Sequence, residues 1–227
     1  MSAPPKSAPP TGFLDRDALN LPNLITLTRL GLSAVLFALI SLGGMWLTAM
    51  ILFIVAASTD FLDGYYARKL GQITILGRIM DPFVDKIIVC GAFIFLIGEP
   101  ASGVSAWMAI IVVGREMFVS TLRGLLEQMG LDFSANWVGK VKMIGQCVAV
   151  SVALGFLALP ESRQADSNLM LGRDIILWGV TLFTAWSGLS YVLRAAEVLA
   201  QAASQHQAGV ETQVSDLADD GEPREDE

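Results

Sequence analysis

Four aspartates carry the densest chemistry in this chain. They stand in the pattern D-x2-D-G-x2-A-R-x8-G-x3-D-x3-D, which runs from Asp60 to Asp85. Helix neighbours three or four residues apart share a face. Asp60, Asp63, Gly64, Ala67 and Arg68 therefore line one face of a helix that ends nearby, and Asp81 and Asp85 line the start of the next. Brought side by side, the two helices point four carboxylates into one cleft. Charges next to a bilayer core are costly, and Arg68 and Lys86 are too few to neutralise four acids. One or two divalent cations would do so. A donor set made only of oxygen favours Mg2+ or Mn2+ over zinc, and such ions also bind phosphates. Gly64 and Ala67 lack bulk, so a phosphorylated ligand can approach the backbone there. Gly77 permits a turn or close approach before the second helix. Taken singly, these small residues read equally well as helix packing, and Asp81, just before Pro82, as a helix cap. The set of four aspartates has no such simple reading.

The elements that must position them are membrane helices. Of 227 residues, 53% are hydrophobic and 16% charged, against about 25% charged in a soluble domain. That composition excludes a soluble binding module. The predicted fold is all-α and polytopic, with six transmembrane helices over 24–42, 45–68, 81–97, 104–128, 139–159 and 174–199, mostly bounded by Gly and Pro. Residues 1–21 are expected to be disordered, then interfacial; 22–200 form the membrane catalytic domain; 201–227 are expected to be a disordered acidic tail. The net charge of -7 belongs to that tail, because residues 211–227 hold eight acids and one base. Lys6, Arg16, Arg68, Lys69, Arg78, Lys140 and Lys142 gather on one side of the predicted topology, whereas the link between the third and fourth spans has only Glu99. The positive-inside rule then puts both termini and the aspartates in the cytoplasm. Cys90 and Cys147 lie in apolar runs and read as small hydrophobes. The single histidine, His206, follows the last span, so no histidine is available in the membrane as a base or zinc ligand. No nucleic-acid partner is expected.

The pattern from Asp60 to Asp85 resembles the signature of the CDP-alcohol phosphatidyltransferase family at every defined position. The resemblance implies a six-helix fold, usually a homodimer, that binds a CDP-linked lipid beside Asp60, Asp63, Gly64, Ala67, Arg68 and Gly77. It implies that Asp60, Asp63, Asp81 and Asp85 hold the metal. It also implies a reaction in which an alcohol attacks the lipid-bearing phosphate and displaces CMP, with Asp85 as the base.

Members of the family differ in their acceptor, and a phosphorylated acceptor needs a second cationic site. Arg115 and Arg123 lie eight residues apart on the fourth span, about 80° around a helix. Lys140 and Lys142 follow at the start of the fifth. Each alone reads as a cation reaching for lipid headgroups, but Arg115 sits deep in an apolar run and needs Glu116 or a ligand beside it. The segment from Pro22 to Leu30 looks like the family's amino-terminal approach. Arg115-Glu116-Met117, Leu122-Arg123 and Gly139-Lys140-Val141-Lys142 are similar to the bacterial branch that joins CDP-diacylglycerol to sn-glycerol 3-phosphate. That likeness implies a multi-pass protein of the bacterial inner membrane, among membrane lipids. Two alternatives stand beside it: the branch whose acceptor is phosphatidylglycerol, and a divalent-cation transporter using intramembrane aspartates. A transporter favours ligands near the midplane and a duplicated half, and the chain has no internal repeat.

Overall fold

The computed structural model describes the backbone of residues 21–70, 75–130 and 137–219, and the side chains of 24, 26–58, 83, 84, 86–130, 141–201 and 204. All regular structure among them is helical. In chain order the helices are α1 (Leu21–Leu42), α2 (Trp46–Leu70), α3 (Ile75–Leu96), α4 (Ala106–Gln128), α5 (Trp137–Leu157), the short α6 (Glu161–Gln164) and α7 (Ser167–Asp219), with a 3-10 turn at Pro100–Ser102.

The long helices close a ring. Its order is α1, α2, α5, α7, α4, α3 and back to α1, with α3 also touching α5 across the middle. Short links alternate the chain direction. Consistent with this, α4 and α7 run parallel, since Arg115 meets Ser187 and Arg123 meets Tyr191. The start of α1, the end of α2, the starts of α3 and α5 and the end of α4 therefore share one end of the bundle.

Helix α7 inverts the burial pattern of a soluble protein. On α7 the outward face carries Ile175, Trp178, Leu182, Trp186, Leu189 and Leu193, all exposed, while Thr181, Thr184, Ser187 and Tyr191 face inward and are buried. Such an exterior suits lipid, and the interior must satisfy its polar groups internally. By length and composition, the stretch Ser167–Gln201 is long and apolar enough to cross a membrane. Among the described residues, further apolar stretches lie at Thr26–Leu42, Trp46–Ser58, Lys86–Leu96 and Val141–Leu157.

Close packing sets the ring. A Cβ on Gly91 of α3 would collide with the ring of Phe37 on α1. Phe37 in turn stacks on Phe95, with centroids 4.8 Å apart and planes within 5°. At the end away from the aspartates, Arg173 ties α7 to the link between α3 and α4. Its Nη1 donates to the Ala101 carbonyl at 2.6 Å, its Nε donates to Asp174 Oδ1 at 2.9 Å, and its guanidinium lies 4.3 Å from the Phe156 ring centroid. Gly103, at φ 76°, leaves the space that Arg173 fills; both the conformation and the contact call for glycine.

Several boundaries differ from those read in the sequence. Helix α3 begins at Ile75 rather than 81, so Gly77 lies inside it and not in a turn. The segment Ile75–Met80 holds no proline, and its single glycine, Gly77, does not stop the helix. Only residues 71–74, outside the described residues, separate α2 from α3. Helix α7 begins earlier, at Ser167, and continues past the predicted end of the last span to Asp219. The segment after Leu199 is rich in Ala and Gln, good helix formers, and its first proline is Pro223.

Candidate active site

Helix α4 supplies the acid and two of the cations. Met108, Val112, Glu116 and Val119 recur at helical spacing and are buried, so Glu116 faces the bundle interior. Helix α5 faces it with Lys142 and Gln146, one turn apart and also buried. Three donors converge on a single carboxylate oxygen, Glu116 Oε1. Lys142 Nζ donates to it in a direct ion pair, Gln146 Nε2 donates at 3.2 Å, and Arg115 Nη1 donates at 3.4 Å. A carboxylate in this setting needs such partners, because burial removes its hydration.

Arg115 bridges from this cluster to α7, where its Nη2 donates to Ser187 Oγ at 3.0 Å. One turn further along α7, the Tyr191 hydroxyl accepts from Arg123 Nη2 at 3.1 Å. The Tyr191 ring also lies under both guanidiniums, 5.6 Å from Arg115 Cζ and 5.9 Å from Arg123 Cζ. The cluster thus holds three cations and one carboxylate: Arg115 and Lys142 pair with Glu116, and Arg123 joins them through Tyr191. In a low-dielectric interior this surplus of positive charge favours an anionic ligand. Nε of Arg115 and Nε of Arg123 are buried and donate to no partner among the described residues.

The structure brings together three of the predicted site residues, Arg115, Arg123 and Lys142, and supplies Glu116 as the counter-charge that the apolar run demanded. Lys140 lies on α5, with its side chain outside the described residues. Asp60, Asp63, Gly64, Ala67 and Arg68 lie on α2, and Gly77, Asp81 and Asp85 on α3; their side chains too are outside the described residues. Their backbones retain the helical spacing, on segments at the cluster's end of the ring. Gln146, Ser187 and Tyr191 join the site without having been singled out in the sequence. The signal was there: Gln146 follows Lys142 by four, and Thr184, Ser187 and Tyr191 make a polar stripe at helical spacing in an apolar helix.

Residues 19–186 match the family model described as CDP-alcohol phosphatidyltransferase, and the chain belongs to that family. It is a membrane-integral transferase of this class. Among similar proteins is the CDP-diacylglycerol–glycerol-3-phosphate 3-phosphatidyltransferase of Bacillus subtilis (strain 168), 36% identical over 194 residues, which cover 79% of this chain and 97% of the relative. The proteins of the same name from Pseudomonas fluorescens and Yersinia pestis (strain Pestoides F) are 35% and 31% identical. Those alignments cover 78% and 77% of this chain, and 90% and 93% of the relatives.

Proposed function

We propose that this protein transfers the phosphatidyl group of CDP-diacylglycerol to sn-glycerol 3-phosphate, releasing phosphatidylglycerophosphate and CMP. The observation that carries the reading is the cluster of Arg115 and Lys142 on one buried carboxylate, with Arg123 joined to it through Tyr191, in a chain with the family's aspartate pattern. Three cations and one acid suit a small dianionic acceptor. A lipid acceptor would not require so many charges gathered between the helices. The shared name of the similar bacterial proteins supports the same acceptor.

In the proposed reaction the Asp85 carboxylate takes the proton from the primary hydroxyl of glycerol 3-phosphate. The freed oxygen bonds to the lipid-bearing phosphorus, and the bond from that phosphorus to the CMP oxygen breaks. The electron pair leaves with CMP. Arg115, Arg123, Lys140 and Lys142 hold the acceptor phosphate and so aim its distant hydroxyl. Asp60, Asp63, Gly64, Ala67, Arg68 and Gly77 receive the CDP-lipid. The donor set Asp60, Asp63, Asp81 and Asp85 is all oxygen, at i,i+3 and i,i+4 positions on α2 and α3, and fits one or two Mg2+ or Mn2+ ions. Bound there, a divalent cation supplies neutralisation of the diphosphate charge. Six spans with the site on the cytoplasmic face, in a homodimer of the bacterial inner membrane, complete the proposal.

The test uses the full chain purified in detergent, with CDP-diacylglycerol, Mg2+ and labelled glycerol 3-phosphate. The expected result is CMP release matched by label entering lipid. CMP release with phosphatidylglycerol alone would move the protein to the lipid-acceptor branch, and no release with any acceptor would overturn the enzyme reading.

A further inference from the structure

Tyr191 lies beyond the segment that matches the family model, which ends at residue 186. Yet one aromatic side chain touches both arginines of the cation cluster. Arg115 and Arg123 are eight residues apart, about 12 Å along α4. Left to themselves, two long cations at that separation repel and disperse. The Tyr191 ring meets both guanidiniums, at 5.6 and 5.9 Å, both within the reach of a cation–π contact. Its hydroxyl then fixes the rotation of the Arg123 head at 3.1 Å. The neighbouring turn of α7 completes the bed. Ser187 fixes the Arg115 head at 3.0 Å, and Gly188 is bare where a Cβ would come within 2.9 Å of Arg115 Cγ. With these contacts made, Nε of each arginine remains buried and undirected to any described protein group.

We infer that Tyr191, with Ser187 and Gly188, is a positioning element for the acceptor site: α7 sets the spacing and orientation of Arg115 and Arg123 so that both address one phosphate. This rests on the proposed reading of Arg115 and Arg123 as acceptor-phosphate residues. Tyr191 itself touches the arginines and need not touch the substrate. The assignment gives the last long helix a part in acceptor selection, although the nucleotide-lipid pattern lies entirely on α2 and α3. A Tyr191 that served packing alone would affect both substrates alike.

The experiment measures CMP release by the full chain in detergent for Tyr191→Phe, Tyr191→Leu, Arg123→Ala and the Tyr191→Phe/Arg123→Ala double variant, varying each substrate in turn. Tyr191→Phe keeps the ring and removes the hydroxyl. It is expected to raise the KM for glycerol 3-phosphate about fivefold, the usual net effect of losing one hydrogen bond. Tyr191→Leu is expected to raise it further, with the KM for CDP-diacylglycerol steady in both. In the Arg123→Ala background, Tyr191→Phe should add little, since coupled residues are non-additive. Full multiplication of the two effects, an unchanged KM in Tyr191→Phe and Tyr191→Leu, or equal rises for both substrates would each overturn the inference. If Arg115→Ala and Arg123→Ala themselves leave the glycerol 3-phosphate KM unmoved, the acceptor reading fails first and the positioning role falls with it. Gly188→Ala is a second arm that leaves Tyr191 intact; it crowds Arg115 and is expected to move the same KM alone.

Discussion

Lys142 on α5 and Glu116 on α4 form an ion pair inside the helix bundle, with side chains only 8% and 9% exposed. The pair joins these two helices through charge. Arg115 and Gln146 add to the same oxygen, so removing Glu116 would leave several buried donors facing one another.

Glu116→Ala is therefore expected to destabilise the protein by about 3–5 kcal/mol, the cost of stranding a buried charge. The measurement is thermal unfolding in detergent. Replacing both partners, as in Glu116→Leu with Lys142→Met, should recover most of that stability because apolar groups of similar volume remove the desolvation penalty. The double variant should nevertheless be inactive. An active double variant would show that the pair serves the bundle and not the reaction.

Arg115→Ala and Lys142→Ala are expected to raise the KM for glycerol 3-phosphate by at least about tenfold, as loss of a charge-assisted contact to phosphate predicts. The KM for CDP-diacylglycerol should change much less. Steady-state kinetics with each substrate varied separately makes the comparison. Equal effects on both substrates would place the acceptor elsewhere.

Asp85→Asn should abolish turnover while CDP-lipid binding and thermal stability persist, because the amide keeps the shape and loses the basicity. Chelation of divalent cations should stop the wild-type enzyme, with activity returning on adding Mg2+ or Mn2+. Retained turnover in Asp85→Asn would refute its role as base.

Gly91→Ala tests the packing of the ring. Its new methyl meets the Phe37 ring, which Phe95 holds in place from the far side. Overpacking of this sort costs about 1–3 kcal/mol and should appear as a lowered Tm. Phe37→Leu in the same chain should relieve part of it. A Gly91→Ala variant as stable as wild type would mean that α1 and α3 can separate without cost.

Much of the candidate site was legible in residue types alone. Carboxylates at i,i+3 and i,i+4 beside apolar runs define a face and a demand for cations wherever the helices go, because helical periodicity is local. The same locality makes Arg115 conspicuous, since a guanidinium in an apolar run must find a partner. Glu116 was visible as a candidate by adjacency. Lys142 and Gln146 were not visible as its main partners, because 26 and 30 residues of chain separate them from it. Tyr191 was still less so, lying 68 residues from Arg123.

By itself, then, the sequence determined the all-helical class, the apolar membrane character and the helical spacing of the aspartates, all of which follow from composition and short-range spacing. The helix limits moved where no proline stood, as around Gly77 and beyond Leu199, since a single glycine weakens a helix without ending it. Only the closed ring decided which helices face one another. That arrangement put α4 between α3 and α7, gave Glu116 its counter-charges from α5, and laid two arginines on one tyrosine of α7. Pairings between distant segments depend on how whole helix faces fit together, and no local pattern encodes that choice.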